Sequence, residues 1–129
     1  MANNLIQPSG VNGSREIGAP SSQVLGGEDF GFVALSKFVV ANGMMAEVKA
    51  AFRERPHLVD GAPGFQRLEV MIPRDNPDEL WLVTYWDREE SYRVWHRGHD
   101  YHAAHKGIPK GLKLDARGTS LRLFDVVCR

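Results

Sequence analysis

Four of the chain's five histidines lie close together, at positions 96, 99, 102 and 105. Imidazole is the commonest metal ligand and titrates near neutral pH, so this run could bind a metal or move protons. Spacings of three rotate about 300° per step on an α-helix, so the four rings cannot all converge on one ion. Adjacent pairs, such as His99 with His102, could share one. No carboxylate at a clear helical spacing and no HExxH pattern completes a zinc site, so a solvent-exposed face remains the alternative, which we expect for His96 and His102.

Trp95 precedes His105 in the same stretch, and this pair could wall one small cavity. On an uninterrupted α-helix the two residues would stand about 15 Å apart along the axis and about 80° apart around it, too far to face one ligand. A break at Gly98, with Asp100 capping a second short helix, would re-aim them. The alternatives are an ordinary core tryptophan and a helix-end histidine that pairs with terminal carbonyls.

The elements that must position this pair can be predicted from apolar spacing and turn residues. Strands are expected at 32–40, 65–72, 80–86 and 120–128, with a first helix capped by Asn42 and a second helical segment at 87–106. The order β-α-β-β-α-β predicts an α+β fold with a ferredoxin-like unit. We place this domain at residues 30–129, after an N-terminal extension at 1–29 that is rich in Gly, Ser, Asn and Pro and has no apolar periodicity.

The predicted first strand is apolar on both faces, which bears on assembly. One face carries Phe32, Ala34, Phe38 and Val40, and the other carries Val33, Leu35 and Val39. A sheet with helices on one side needs only one apolar face, so something must cover the second. We expect a homodimer whose two sheets close into a barrel, the alternative being cover by the N-terminal extension.

Composition bounds the class of protein. The chain has 129 residues, 43% hydrophobic and 25% charged, and its 16 basic residues balance 16 acidic ones. Zero net charge argues against a nucleic-acid partner, and no apolar run approaches the roughly 20 residues of a membrane span. No signal peptide is apparent. The single cysteine, Cys128, favours a reducing compartment, so we expect a cytoplasmic protein.

Two motifs resemble a known family. The run Trp86-x8-Trp95-x9-His105, ending in Ala-Ala-His-Lys, resembles the IsdG-type haem-degrading monooxygenases, which belong to the antibiotic-biosynthesis-monooxygenase-like superfamily of dimeric α+β barrels. The turn Gly61-x-Pro-Gly-Phe65 resembles the wider superfamily, and the likeness covers about residues 31–128. It implies His105 as the axial ligand of the haem iron and Trp95 as the residue that packs on and distorts the porphyrin. The family's distal asparagine falls at Ser36.

The resemblance implies haem as both substrate and cofactor, with an external electron donor because no Gly-rich dinucleotide motif is present. The residues that would complete an apolar slot and bind the haem are Phe32, Phe38, Tyr101 and, in a basic loop expected at 107–119, Lys110. Two alternatives stay open, a haem-binding protein without turnover and a cofactor-free monooxygenase or small-molecule binder of the same superfamily. Ser36 favours the former, because a hydroxyl is a shorter donor than an amide.

Overall fold

A computed structural model describes residues 30–98 and 108–129. Its four strands form one antiparallel sheet in the order β2-β3-β1-β4. The strands are β1 (Phe32–Val40), β2 (Phe65–Met71), β3 (Glu79–Trp86) and β4 (Leu114–Asp125), and the helices are α1 (Met45–Arg53) and α2 (Glu89–Arg97), with a 3-10 helix at Leu58–Gly61. This arrangement confirms the predicted ferredoxin-like α+β fold.

The central strand β1 separates the two faces of the sheet. Every second residue from Phe32 to Val40 is buried, and the residues between them are half-buried. This alternation follows from the strand period of two, which sends successive side chains to opposite faces. The buried set lies on the side that both helices cover. The opposite side, which we call the outer face, carries Val33, Leu35 and Val39.

The helix-covered side holds two separate hydrophobic clusters. The α1 cluster consists of Phe38, Val40, Met45, Val48, Phe52, Leu80 and Leu82. The α2 cluster consists of Phe32, Ala34, Val59, Trp86, Tyr92 and Trp95. Along β1, Ser36 stands at the boundary, with Ala34 of one cluster before it and Phe38 of the other after it.

Helix α2 ends at Arg97, and Gly98 is its C-cap, with its N–H donated to the carbonyl of Trp95 at 2.9 Å. The predicted break at Gly98 is therefore confirmed, and the predicted helical segment does not run unbroken from 87 to 106. The second short helix expected at Asp100 lies outside the described residues.

Two local predictions are wrong. Asn42 does not cap α1, whose N-cap is Met44. The side-chain amide of Asn42 instead donates a hydrogen bond to the carbonyl of Gly111 at 2.7 Å. The loop expected at 107–119 is much shorter, because β4 begins at Leu114. The register of β4 against β1 shifts between Lys37 and Val39, and this bulge breaks the alternation that would have revealed the early strand residues.

Across 30–98 and 108–129, no helix combines the length and hydrophobicity that crossing a bilayer requires.

Candidate functional site

Ser36 is the most unusual polar residue of the central strand. Its side chain points to the helix-covered side and is 1% exposed, with Leu82 and Leu121 as its cross-strand neighbours. Its hydroxyl oxygen has no hydrogen-bond partner among the described residues. A buried polar group without a partner costs about 1 to 3 kcal/mol, so proteins seldom keep one without a use. An acceptor for the Ser36 hydroxyl would have to come from outside the described residues.

Trp95 lies beside Phe32 and Ala34 in the α2 cluster and is 8% exposed. It faces inward because α2 places Tyr92 and Trp95, three residues apart, on one side of the helix. The sequence therefore brings Trp95 and Phe32 together, and Ser36 follows Phe32 and Ala34 on the same face of β1. These residues line one apolar, aromatic region.

The aromatic rings beneath α2 hold that helix in a fixed position. The ring of Tyr92 lies 5.6 Å from that of Phe32 and 5.9 Å from that of Trp86. Trp86 donates its indole N–H to the Thr84 hydroxyl at 2.9 Å. Burial raises the pKa of Tyr92 to about 12, so its phenol stays neutral at physiological pH. Tyr92 therefore contributes a neutral aromatic ring to the support of α2.

The turn at Gly64 ties β2 to the start of α2. The backbone N–H of Asp87 donates to the Gly64 carbonyl at 2.8 Å, and the Ser91 hydroxyl donates to the Asp87 carboxylate at 2.5 Å. Gly64 has φ +84°, and a Cβ there would collide with the side chains of Asp87 and Ser91. Only glycine allows this close approach. The Gly61-x-Pro-Gly-Phe65 motif thus fixes where α2, and with it Trp95, begins.

A cleft of about 230 Å³ lies between α2 and residues 61–63. Its lining is Gly61, Ala62, Pro63, Ser91, Val94, Trp95 and Gly98. Trp95 is thus shared between this cleft and the α2 cluster.

The remaining predicted site residues are distributed as follows. Phe38 is fully buried in the α1 cluster, so it lies on the Ser36 face of β1 but not among the neighbours of Trp95. Lys110 is exposed in the turn before β4. His105 and Tyr101 lie outside the described residues.

His96 is half-buried, and its ring lies 5.6 Å from that of Tyr92. The prediction of a solvent-exposed His96 is therefore wrong, because α2 turns this face partly toward the aromatic cluster. His99 and His102 fall outside the described residues. Within 30–98 and 108–129, no group of three or more His, Cys, Asp or Glu side chains could hold a metal ion.

Sequence reasoning missed three residues of this region. Leu121 and Leu123 lie on β4, where they are the cross-strand neighbours of Ser36 and Ala34, and they pack against the α2 cluster. Their alternation with Arg122 was the available signal. Tyr92 was also missed, although its spacing of three from Trp95 marks the same helix face.

Comparison with known proteins identifies relatives of this arrangement. The model of the antibiotic biosynthesis monooxygenase family matches residues 31–107. A mycobilin-producing haem oxygenase of Mycobacterium tuberculosis is 30% identical over 97 residues, covering 74% of this chain and 88% of the relative. A staphylobilin-producing haem oxygenase of Staphylococcus saprophyticus is 30% identical over 82 residues, which cover 57% of this chain and 77% of the relative.

Solved structures agree. The haem degrader MhuD from Mycobacterium tuberculosis, with two haems in its active site, matches with TM-score 0.63 and 28% identity over 76% of this chain and 97% of that one. SnoaB from Streptomyces nogalater, a cofactor-independent oxygenase, matches with TM-score 0.59 and 18% identity over 73% of this chain and 90% of that one, which shows the fold alone. With the family model and the curated relatives, these matches establish that the chain belongs to the antibiotic biosynthesis monooxygenase family.

Proposed function

We propose that this chain is a haem-degrading monooxygenase that opens the porphyrin with dioxygen and an external reductant and releases iron. The observation that carries the proposal is the buried, unpartnered hydroxyl of Ser36 on the same strand face as the aromatic cluster around Trp95. Relatives named haem oxygenase, 30% identical to this chain, support the same reaction. Bound haem supplies dioxygen chemistry, and the protein supplies the slot and the contacts.

The described residues fit a haem in three respects. A porphyrin is a flat apolar ring, and Trp95 and Phe32 offer aromatic surface beside the apolar Ala34. The hydroxyl of Ser36 offers one donor in surroundings that are otherwise apolar. Residues 99–107, which carry the proposed iron ligand, follow directly after α2, whose last turn holds Trp95.

Each residue has a proposed role. His105 binds the iron, supported by its spacing from Trp95 and by the family resemblance. Trp95 would pack on the porphyrin and distort it, and the fixed position of α2 suits it to that role. Ser36 donates a hydrogen bond on the distal side, directly or through a water. Because a serine hydroxyl reaches less far than an asparagine amide, this last contact is where the chain differs most from the family pattern.

Three further residues complete the proposed slot. Phe32 contacts the haem from the α2 cluster, and Phe38 closes the slot beyond Ser36 on the same strand. Tyr101 lines the slot from the segment after α2. Lys110, exposed in the turn before β4, pairs with a propionate.

A second copy of the chain covers the outer face in this proposal. Val33, Leu35 and Val39 of β1 are apolar and remain only half-buried in the single chain. On the β2 side, Arg67 stacks 3.7 Å from the centre of the Tyr85 ring, and the Tyr85 hydroxyl donates a hydrogen bond to the Glu69 carboxylate at 3.0 Å. An apolar centre with a polar margin whose groups are hydrogen-bonded is typical of a protein interface.

The single, exposed Cys128 suits a reducing cytoplasm, which is the compartment that we propose for this chain.

Light scattering on the purified chain tests the dimer. We expect twice the 14.4 kDa chain mass, and a single chain mass for Leu35→Glu, which would bury a charge in the interface. Glu47→Gln, an exposed change on α1, is the matched control and should remain dimeric. A monomeric unaltered chain would contradict this assembly.

A hemin titration followed through the Soret band tests the function. We expect a saturable shift that is lost in His105→Ala, and then bleaching with iron release when ascorbate is added under air with catalase present. The absence of any saturable shift would overturn the proposal. A Soret band that survives the reductant would indicate the second candidate, a haem-binding protein without turnover, which the short Ser36 hydroxyl favours.

Ser36→Asn helps to distinguish a haem-degrading enzyme from a haem-binding protein without turnover. This variant restores the amide of the family pattern, so faster bleaching than in the unaltered chain would place residue 36 beside the haem. Ser36→Ala is the matched control, because it removes the donor with little change in volume. Equal bleaching rates in all three proteins would show that residue 36 does not face the reacting ring.

A further inference from the structure

A groove at the sheet edge, remote from the α2 cluster, combines positive charge with an apolar floor. It lies between α1 and the edge strand β2 and has a volume of about 260 Å³. Its lining is Lys49, Phe52, Arg53, Val70 and Ile72. The floor belongs to the α1 cluster, since Phe52 is one of its buried members and Val70 and Ile72 pack against it. None of these residues belongs to the proposed haem slot.

The two positive charges of the groove lie close enough together to repel each other. Lys49 and Arg53 stand four residues apart on α1, a spacing at which like charges repel each other. Neither forms an ion pair with a described residue, although other basic residues of this part of the chain do, among them Arg55, Arg67 and Arg93. An anion held between the two would relieve this repulsion.

The apolar floor limits which anion fits. A small inorganic anion would leave the surfaces of Phe52, Val70 and Ile72 uncovered, whereas an alkyl chain would cover them. The volume of the groove is just below the roughly 300 to 1,000 Å³ typical of pockets for drug-sized ligands, so the groove suits a smaller molecule. We propose that this groove binds a straight-chain alkyl carboxylate of medium length, with its carboxylate between Lys49 and Arg53 and its chain along the floor.

Octanoate is the probe that tests this site in the full chain. Methyl NMR should show saturable shifts at Val70 and Ile72 well below the concentration at which octanoate forms micelles. The double variant Lys49→Gln/Arg53→Gln should weaken binding at least about twofold, since two exposed ion pairs with the carboxylate would be lost. Arg117→Gln is the matched control, because the Arg117 side chain is 94% exposed on β4, and it should bind octanoate unchanged.

Octan-1-ol separates charge from apolar contact, because it has the same chain without the carboxylate. Weaker binding of the alcohol to the unaltered chain, and equal binding of the alcohol to the double variant, would support the proposal. Equal affinity for acid and alcohol would overturn it, as would the absence of saturable shifts. The first of those results would mean that the two cations contribute nothing to binding, and the second that their stems cover the floor themselves. Hemin binding by the double variant should match that of the unaltered chain, so this test does not depend on the haem function.

Discussion

The α1 cluster and the α2 cluster pack on the same face of the same sheet, yet they differ in chemistry. The α1 cluster is built from aliphatic side chains and two phenylalanines, and none of its members carries a polar side-chain atom that needs a partner. The α2 cluster contains Tyr92, Trp86 and Trp95 and adjoins the Ser36 hydroxyl. A core that only stabilises a fold has no need of such groups, because each polar group needs a partner to be buried at low cost. Under the proposed function, this difference marks the α2 half of the core as the one that contacts the haem.

The largest expected effects come from truncating one aromatic residue in each cluster. Phe52→Ala and Trp95→Ala should each lower the free energy of unfolding by about 3 to 5 kcal/mol in urea denaturation, because both leave a cavity. Hemin affinity, measured on folded protein at low temperature, should fall at least about tenfold in Trp95→Ala only, since stacking on the porphyrin is lost. Equal losses of affinity in the two variants would break the distinction between the clusters.

Alkaline pH should act on the α2 cluster through Tyr92. Burial raises the pKa of Tyr92 from 10.0 to about 12, so the folded state favours the neutral phenol. The stabilisation is complete below pH 10.0 and is lost as the pH rises toward 12, a change of about 2 to 3 kcal/mol. Urea denaturation between these pH values checks the slope. Tyr92→Phe should remove this contribution, and an unchanged slope in that variant would assign the titration to another group.

Two buried hydroxyls near each other on the sheet should respond in opposite directions. Ser36→Ala removes an unpartnered group, so the haem-free protein should gain stability, by up to about 1 to 3 kcal/mol. Thr84→Val removes the acceptor of the Trp86 indole N–H and should lose a similar amount. Thermal denaturation of the haem-free variants measures both changes. A destabilised Ser36→Ala would mean that this hydroxyl has a partner already.

The smallest expected change in stability comes from Asp60, in the 3-10 helix that connects α1 to β2 along the chain. Burial alone would raise the pKa of Asp60, but hydrogen bonds and charge attraction from Arg55 and His57 outweigh it and lower the pKa below 3.8. The contribution is therefore present above pH 3.8 and is lost as the pH falls below it. Asp60→Asn should flatten the acid limb of the stability profile slightly. Since this carboxylate is largely exposed, a large change would contradict its placement.

The sequence predicts the fold well because its strands have clear periodicity. The alternating burial of β1 was visible in the order of its apolar residues, and Gly98 marked the end of α2 as predicted. The start of β4 was not visible, because the shift in its register against β1, between Lys37 and Val39, breaks the period of two. Nor was the environment of His96, since its burial depends on how α2 rotates against Tyr92, which spacing within one helix does not determine.

The candidate site could be predicted only in part. Ser36 and Phe32 were assigned to the same strand face, and the structure places them so. Phe38 shares that face but joins the α1 cluster, because the helix above it is α1 and not α2. Strand alternation identifies a face of the sheet, whereas the helix that covers each position is a tertiary property.

The close approach at Gly64 also has a consequence for sequence change over evolutionary time. A Cβ at position 64 would collide with Asp87 and Ser91 together, so no single substitution there can be compensated by one other substitution. A side chain at position 64 would also have to adopt the positive φ of +84°, so a substitution there would displace the start of α2 and the tryptophan it carries. We therefore expect position 64 to stay glycine in sequences that keep Trp95, whereas Gly61, around which a Cβ would meet nothing within 4 Å, is free of this constraint.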